Sequence, residues 1–278
     1  MKHLIITGAA IAIVAAVGLI SWSARNNPPE TNPAAINEID LSLYKNGENI
    51  FITPEELLEK LLDKNLVILD GNHPKVYAKG HIPGAINIGF KGLSGSQGKP
   101  GDAGWGTILP PKDLKAKLES FGITKESLIV CYSDTFKGPG AGGRAVWQLR
   151  MAGLDNVRLL YGGMSLWRQA GYELTREIPE ITPSAGLVLQ PYNENYRANL
   201  HFVSTHLDKL KIIDVRSKKE YSGDDTSRGE ARGGHIKNAE WLEWTTLLNP
   251  DSTPKSSKEI IALLAAMGVN PDDDFVLY

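Results

Sequence analysis

The stretch LESFGITKESLIVCY, residues 118–132, is matched later in the same chain by LAAMGVNPDDDFVLY, residues 264–278. In both stretches a glycine ends a helical pattern, and a short apolar run then ends in a tyrosine. Gly122 therefore corresponds to Gly268 and Tyr132 to Tyr278, with the same separation along the chain. A repeat with so long a period indicates a duplicated domain rather than a solenoid of short units.

The parts of the chain that precede these stretches also correspond. Ile68-Leu69-Asp70 matches Ile212-Ile213-Asp214, and Gly80-His81-Ile82 matches Gly234-His235-Ile236. The separations within these pairs differ somewhat from those of the first match. The two copies are therefore expected to share a core and to differ in the lengths of their loops.

Helix and strand patterns alternate within each copy. A capping box with proline at the first helical position, Thr53-Pro54-Glu55-Glu56, precedes an apolar stripe. The predicted stripe consists of Leu57, Leu58, Leu61 and Leu62. Two continuously apolar runs, Leu66–Leu69 and Leu128–Tyr132, are typical of strands that are buried on both faces. The segment Lys112–Phe121, which precedes Gly122, is predicted to be a helix. We expect an α/β fold with two domains, each a mainly parallel sheet with helices on both faces, the second incomplete.

Composition narrows the classes of function. A hydrophobic content of 42% over 278 residues is ordinary for a globular protein of about two domains, which argues against disorder. The 30 Lys and Arg residues nearly balance the 32 Asp and Glu residues without forming a basic block, so no nucleic-acid partner is expected. Because there is one cysteine and the six histidines are scattered, we expect no metal site.

The N-terminus has the layout of an export signal. Lys2 and His3 precede an unbroken small and apolar stretch, Leu4–Ile20, and no acidic residue occurs before Glu30. The length of this stretch suits both a cleaved signal peptide and a membrane anchor, and both interpretations stay open. The rest of the chain is therefore expected in the periplasm or elsewhere outside the cytoplasm, soluble after cleavage or attached to the membrane through residues 4–20.

These patterns divide the chain into five parts. They are a signal peptide or anchor (1–24), a linker (25–47), a first domain (48–176), a second linker (177–186) and a second domain (187–278).

Together, the matched motifs resemble those of rhodanese domains. The motif residues are Asp214-Val215-Arg216 with Glu220-Tyr221 and Gly234–Ala239 in the second copy, and Tyr77, Gly80–Asn87 and Gly162–Trp167 in the first. The tandem arrangement is similar to that of thiosulfate and mercaptopyruvate sulfurtransferases. In that family the first domain is usually inactive and the second carries the nucleophile.

The resemblance implies transfer of sulfane sulfur through a persulfide-type intermediate. The donor would be thiosulfate, mercaptopyruvate or a similar small sulfur-containing anion, and the acceptor a thiol or cyanide. No cofactor is expected. A second hypothesis is a non-catalytic rhodanese-like module that binds an anion or a partner protein, and the sequence leaves both open.

Family members carry the nucleophile directly after the strand that ends in a residue like Tyr132. The first copy has Ser133 there, and a serine hydroxyl cannot carry a persulfide, so Ser133 is the inactive counterpart of the nucleophile. Cys131 is the only thiol, and we interpret it as a small apolar residue buried within the strand. The first domain is therefore expected to be catalytically silent.

Arg216 is a candidate substrate-binding residue, because the resemblance places this arginine near the substrate. The alternative is an ion pair with Glu220, four residues further on. The first copy has Asn72 at the corresponding position and lacks the charge. Asp70, His81, Asp214, Glu220 and His235 are expected to have structural roles in the shared motif.

The glycine-rich segment Gly138–Gly143 fits the pattern of a dinucleotide-binding loop. Pro139 removes one of the amide donors, and no strand that ends in an acidic residue follows at the required distance. We therefore favour a lengthened rhodanese-like loop, in which Lys137 and Arg144 could bind an anion.

The sequence ends at Tyr278, one residue before the position where the resemblance places the nucleophile. No catalytic residue is therefore expected within the chain itself. One expectation is that the next codon is a UGA that encodes selenocysteine, because a selenolate forms more readily than a thiolate and would suit the same loop of amide donors. A frameshift, a fragmentary gene sequence and a shortened chain are the alternatives.

Overall fold

The computed structural model describes residues 39–95, 97–99, 102, 104–138, 140–227 and 230–278. The predicted export segment at residues 4–20 lies outside these residues. Within the described ranges, no helix is both long enough and apolar enough to cross a bilayer.

The first unit is built on a sheet of five parallel strands in the order β1-β5-β4-β2-β3. The strands are β1 (Phe51–Ile52), β2 (Leu66–Asp70), β3 (Ala85–Asn87), β4 (Leu128–Tyr132) and β5 (Val157–Leu160). The helices are α1 (Gly47–Ile50), α2 (Pro54–Lys60), α3 (Pro74–Tyr77), α4 (Pro111–Ser120), α5 (Ala141–Met151) and α6 (Gly163–Gln169). The predicted α/β fold with a parallel sheet is confirmed.

Helices cover both faces of this sheet. On one face, Leu69 and Cys131 pack against Leu118 of α4 and Leu149 of α5. On the opposite face, neighbouring residues of the same strands pack against α2 and α6 in a second cluster that includes Ile68, Val130, Leu57 and Trp167. The central strands are thus buried on both faces, which explains their unbroken apolar sequence.

Helix α2 begins as predicted but ends early. Thr53 and Glu56 form the capping box, with Thr53 Oγ1 accepting from the Glu56 N–H at 3.1 Å. Of the predicted apolar stripe, Leu57 is fully buried and Leu61 packs at the edge of its cluster, but Leu58 and Leu62 are exposed. The predicted stripe was therefore wrong for two of its four residues: Leu58 lies on the exposed side of the helix, and Leu62 follows the end of the helix at Lys60.

The second unit contains the corresponding three central strands. They are β6 (Lys211–Asp214), β7 (Ala239–Trp241) and β8 (Phe275–Leu277), parallel in the order β7-β6-β8, with helices α7 (Leu200–His206), α8 (Lys218–Ser222) and α9 (Ser257–Ala266). This order reproduces β3-β2-β4 of the first unit. Tyr132 ends β4 and Tyr278 directly follows β8, so the matched tyrosines stand at equivalent places in the two sheets.

Both linkers differ from their predicted extent. Leu41 and Tyr44, predicted to lie in the linker, are buried in the core of the first unit. Residues after 186 also pack on the first unit, since Leu187 belongs to that core and the Trp147 indole N–H donates to the Tyr196 carbonyl at 2.8 Å. The first helix of the second unit begins only at Leu200.

A buried tyrosine hydroxyl links two segments of each sheet. Tyr132 Oη donates to Asp70 Oδ2 at 2.6 Å and accepts from the Ile82 N–H at 3.2 Å. In the second unit, Tyr278 Oη accepts from the Ile236 N–H at 2.8 Å. The Gly-His-Ile motif is thus attached to the end of β4 in the first copy and to the residue that follows β8 in the second.

We expect Tyr132→Phe to destabilise the protein by about 1–3 kcal/mol, because it removes the hydroxyl bond to buried Asp70 Oδ2 and leaves the Ile82 N–H without its acceptor. Urea unfolding followed by circular dichroism measures the change. Tyr172→Phe is the control, since this ring packs edge-on against Trp167 and its hydroxyl makes no such link to the described residues; it should cost less than about 0.5 kcal/mol. Equal losses in the two variants would contradict the role given to the Tyr132 hydroxyl.

Candidate functional site

The carboxylate at the end of the second strand organises each site. Asp70 Oδ1 accepts from the Asn72 N–H at 2.6 Å, and Asp214 Oδ1 accepts from the Arg216 N–H at 2.9 Å. Both carboxylates are completely buried. Burial raises the pKa of Asp70, and the bonds from Tyr132 and Asn72 oppose that shift. In the second unit, burial and the nearby Asp214 carboxylate raise the pKa of Tyr278 to about 12. The hydrogen bond from the Ile236 N–H lowers this pKa and so opposes part of the shift.

The two candidate histidines occupy equivalent positions. His81 Nδ1 lies 3.0 Å from the Tyr77 carbonyl oxygen, and the two rings stack at 3.6 Å. His235 Nδ1 lies 2.9 Å from the Tyr221 carbonyl oxygen, and those rings stack at 3.9 Å. Each imidazole therefore joins the Gly-His-Ile motif to the preceding helix. His81 is fully buried, with Nε2 3.1 Å from the Glu177 carbonyl oxygen, whereas His235 is exposed.

Arg216 is held by Asp214. Its Nε and Nη2 contact the two carboxylate oxygens at 3.0 and 2.5 Å, and Nη2 also donates to the Gly234 carbonyl at 2.9 Å. The guanidinium lies 5.2 Å from the centre of the Tyr278 ring. Burial of the guanidinium lowers the pKa of Arg216, but the hydrogen bonds and the charge of Asp214 outweigh this effect, so the pKa is raised.

The proposed ion pair between Arg216 and Glu220 is not formed. Glu220 Oε2 instead accepts from the Ser217 hydroxyl at 2.7 Å in a capping box that begins α8. The spacing of four residues predicts Glu220 as a partner of Arg216, but the position of Glu220 in the capping box determines where its carboxylate points.

Ser133 lies at the N-terminus of α5. Its Oγ accepts from the Gly142 N–H at 3.3 Å, and the residue is almost completely buried. A side chain on Gly142 would approach the backbone of Tyr132 to 2.9 Å, so this close contact of helix and strand requires glycine. The position after the strand therefore faces a helix amide, which is the environment that stabilises an anionic nucleophile.

The rest of the loop that follows β4, which we call the silent loop because the sequence predicts no activity there, is occupied by its own side chains. The Asp134 N–H donates to Asn72 Oδ1 at 2.7 Å, and the Asp134 carboxylate lies 3.4 Å from Arg168 Nη1 and 3.6 Å from Lys137 Nζ. Lys137, predicted as an anion ligand, thus already pairs with an acid of its own loop. The pairing of Asp134 with Arg168 could not be predicted from the sequence, because the two residues are distant along the chain and no motif joins them.

Arg144, the other predicted anion ligand, faces a different segment. Its guanidinium donates to Ser94 Oγ at 3.2 Å and to the Gly106 carbonyl, and it stacks 4.8 Å from the Phe90 ring. Burial lowers its pKa. The contacts of Lys137 and Arg144 therefore join them to different partners, and the structure does not bring them together at one site.

Cys131 points into the core between the sheet and α5. The side chain has no exposed surface, and burial raises the pKa of its thiol well above the usual range. A thiol that is neither accessible nor ionised is a poor nucleophile. These contacts fit the apolar role given to Cys131.

Comparison with known proteins identifies the repeated unit. A family model described as "Rhodanese-like domain" matches residues 53–170 and 200–278. The chain is 31% identical over 242 residues to "Sulfur carrier protein TtuD" of Thermus thermophilus, covering 82% of this chain and 81% of that protein. It is 30% identical over 232 residues to "Thiosulfate sulfurtransferase" of Azotobacter vinelandii, with 82% of each chain covered.

Solved structures share the fold at lower identity. Wild-type EanB superposes with a TM-score of 0.71 at 22% identity, over 83% of this chain and 59% of EanB. The anaerobic ergothioneine biosynthesis enzyme of Chlorobium limicola superposes with a TM-score of 0.68 at 23% identity, over 83% of this chain and 60% of the enzyme. The chain therefore spans about three fifths of these two proteins.

Both copies contain the same aspartate, tyrosine and Gly-His-Ile arrangement, and the family model matches both segments. The chain belongs to the rhodanese-like family, as a tandem-domain sulfurtransferase.

Proposed function

We propose that the protein moves sulfane sulfur from a small sulfur-containing anion, such as thiosulfate or mercaptopyruvate, to a thiol or cyanide acceptor. The sulfur would be carried as a persulfide-type intermediate on the residue that directly follows Tyr278. The observation that carries the proposal is the position of Ser133, whose hydroxyl faces the first turn of α5 directly after Tyr132. Tyr278 is the equivalent of Tyr132, so the next position is the equivalent of Ser133.

The chemistry requires a soft nucleophile at that position. A thiolate or selenolate attacks the sulfane sulfur of thiosulfate, the sulfur–sulfur bond breaks, and sulfite leaves with the electron pair. The acceptor then attacks the outer sulfur of the persulfide, and the carrier leaves as a thiolate or selenolate. Amide donors at the N-terminus of a helix stabilise the carrier anion before and after each step. We propose cysteine or selenocysteine for this role.

Arg216 supports binding of the donor anion. The guanidinium has five N–H donors, and its bonds to Asp214 and Gly234 use those on Nε and Nη2. Asp214 balances the charge of Arg216, so we propose that Arg216 contributes directed hydrogen bonds more than net positive charge. Arg216 lies above the Tyr278 ring, and this position supports its proposed role beside the carrier.

We also propose that the protein acts outside the cytoplasm. The apolar stretch at residues 4–20, preceded by Lys2, supports export by a signal peptide or an anchor.

A polypeptide that ends at Tyr278 should transfer no sulfur from thiosulfate or mercaptopyruvate to cyanide. The reasons are that Ser133 cannot form a persulfide and that Cys131 is buried. Thiocyanate formation measures the activity, and translation through the codons that follow Tyr278 should restore it. Cys131→Ser should leave both forms unchanged. Thiocyanate production by the shorter form that disappears with Cys131→Ser would refute the assignment, and a longer form without activity would favour a binding module.

Arg216→Gln should affect both stability and donor binding. Losing the guanidinium leaves the buried Asp214 carboxylate uncompensated, which should cost on the order of 3 kcal/mol in urea unfolding. In the active longer form, the KM for thiosulfate should rise more than kcat falls. Lys219→Gln is the control, because this exposed residue lies in α8 on the same segment. If folded Arg216→Gln has an unchanged KM for thiosulfate, Arg216 has a structural role and does not bind the donor.

Fusion of residues 1–47 to alkaline phosphatase lacking its own signal should give active phosphatase in a bacterial host, since that enzyme needs the oxidising periplasm for its disulfides. Replacing two apolar residues of the stretch, as in Ile11→Lys with Val14→Lys, should abolish phosphatase activity. Equal activity of the two fusions would contradict export through this segment.

A further inference from the structure

The segment Ile39–Ile50, which we call the N-terminal clasp, packs against the first unit. Leu41, Tyr44 and Ile50 are buried in its core. The Tyr44 ring makes edge-to-face contacts with Phe51 at 5.2 Å and with Tyr161 at 5.9 Å between ring centres. These contacts fix the Tyr44 side chain in one orientation, with its hydroxyl at the boundary of the unit.

The same hydroxyl contacts the second unit. Tyr44 Oη donates to the Pro254 carbonyl at 2.6 Å and lies 2.9 Å from Tyr161 Oη. A phenol has one proton, and that of Tyr44 is used on Pro254, so the Tyr161 hydroxyl must donate to Tyr44. The next residue adds a second bond, from the Lys45 N–H to Ser257 Oγ at 3.1 Å. Both bonds to the second unit thus begin in the clasp.

The segment that receives these bonds is itself well ordered by local hydrogen bonds. The Asn249 N–H donates to the Thr253 carbonyl, and the Lys255 N–H donates to the Leu247 carbonyl, each at 2.8 Å. Ser257 begins α9. The clasp therefore holds a compact turn and the start of a helix, and through them it can set the position of the second unit.

A cavity of about 60 Å³ lies at this contact between the units. Ser133 and Thr135 of the silent loop line one side, Leu247 and Pro254 of the second unit line another, and Tyr44 itself forms part of the wall. A shift of the second unit at Pro254 would therefore open or close the space in front of the silent loop.

We propose that Tyr44 is a positioning residue that fixes the second repeat against the silent loop of the first. The hydroxyl carries this role, because the ring packs edge-to-face against residues of the first unit, whereas the hydroxyl and the adjacent Lys45 amide make the hydrogen bonds to the second. The inactive first domain then has a function in the tandem protein: it supplies the fixed surface against which the second repeat is aligned.

Tyr44→Phe tests the proposal, since it keeps the ring contacts and removes the bond to Pro254. Amide hydrogen exchange in Leu247–Ile260 should become about fivefold to tenfold faster, whereas exchange in β2 and β4 should not change. Tyr161→Phe should have a smaller effect, because it leaves the bond from Tyr44 to Pro254 in place. Ser257→Ala removes the second bond without altering the first unit and should also accelerate exchange in this segment.

The matched control is Tyr192→Phe, which removes a tyrosine–carbonyl bond of 2.6 Å to Leu109 on the first unit. Spin labels at Lys112→Cys and Lys258→Cys, both exposed positions, report the distance between the units. Tyr44→Phe should broaden the distance distribution, and Tyr192→Phe should leave it unchanged. The proposal is overturned if Tyr44→Phe changes neither exchange nor distance, or if Tyr192→Phe changes both to the same extent.

Discussion

The site in each repeat depends on a buried carboxylate at the end of the second strand and on a tyrosine at the end of its neighbour. Asp70 and Tyr132 share a hydrogen bond of 2.6 Å, and the tyrosine hydroxyl also accepts from the backbone of the Gly-His-Ile motif. Buried polar groups must be paired, so these residues fix three segments relative to one another. The residue after the tyrosine is thereby placed at the carboxyl end of the sheet, where parallel folds bind ligands.

The two repeats use this common frame differently. In the first, Asn72 supports the Asp134 amide, Ser133 accepts from the helix, and Asp134 pairs with Arg168 and Lys137. The Ser133 and Lys137 side chains thus have partners in the loop or its helix, whereas Asn72 Nδ2 is buried without a hydrogen-bond partner among the described residues. In the second, Arg216 replaces the neutral side chain and is oriented by Asp214 beside Tyr278. The two repeats thus share one frame, and the second has a cationic side chain where the first has a neutral one.

The sequence was sufficient to predict the duplication, the parallel sheets and the burial of Cys131, because each follows from local periodicity or from matched motifs. It failed where a contact joins distant segments. The helical spacing of Arg216 and Glu220 predicts an ion pair between them. The partner of Arg216 is Asp214, two residues before it, whereas Glu220 caps α8. Tyr44 was assigned to a linker, since nothing in residues 39–50 signals that its hydroxyl reaches Pro254. Lys137 and Arg144 were grouped by proximity along the chain, whereas packing gives them separate partners.

We propose that the frame shared by the two repeats positions the sulfur carrier directly after Tyr278. The most direct measurement is to incubate the protein, translated through the codons that follow Tyr278, with thiosulfate and to locate the bound sulfur by peptide mass spectrometry. The account predicts the added mass of one sulfur atom on the residue that follows Tyr278, and none on the peptide that contains Cys131. Sulfur bound at Cys131, or rapid thiocyanate formation from a protein that never gains a sulfur atom, would contradict it.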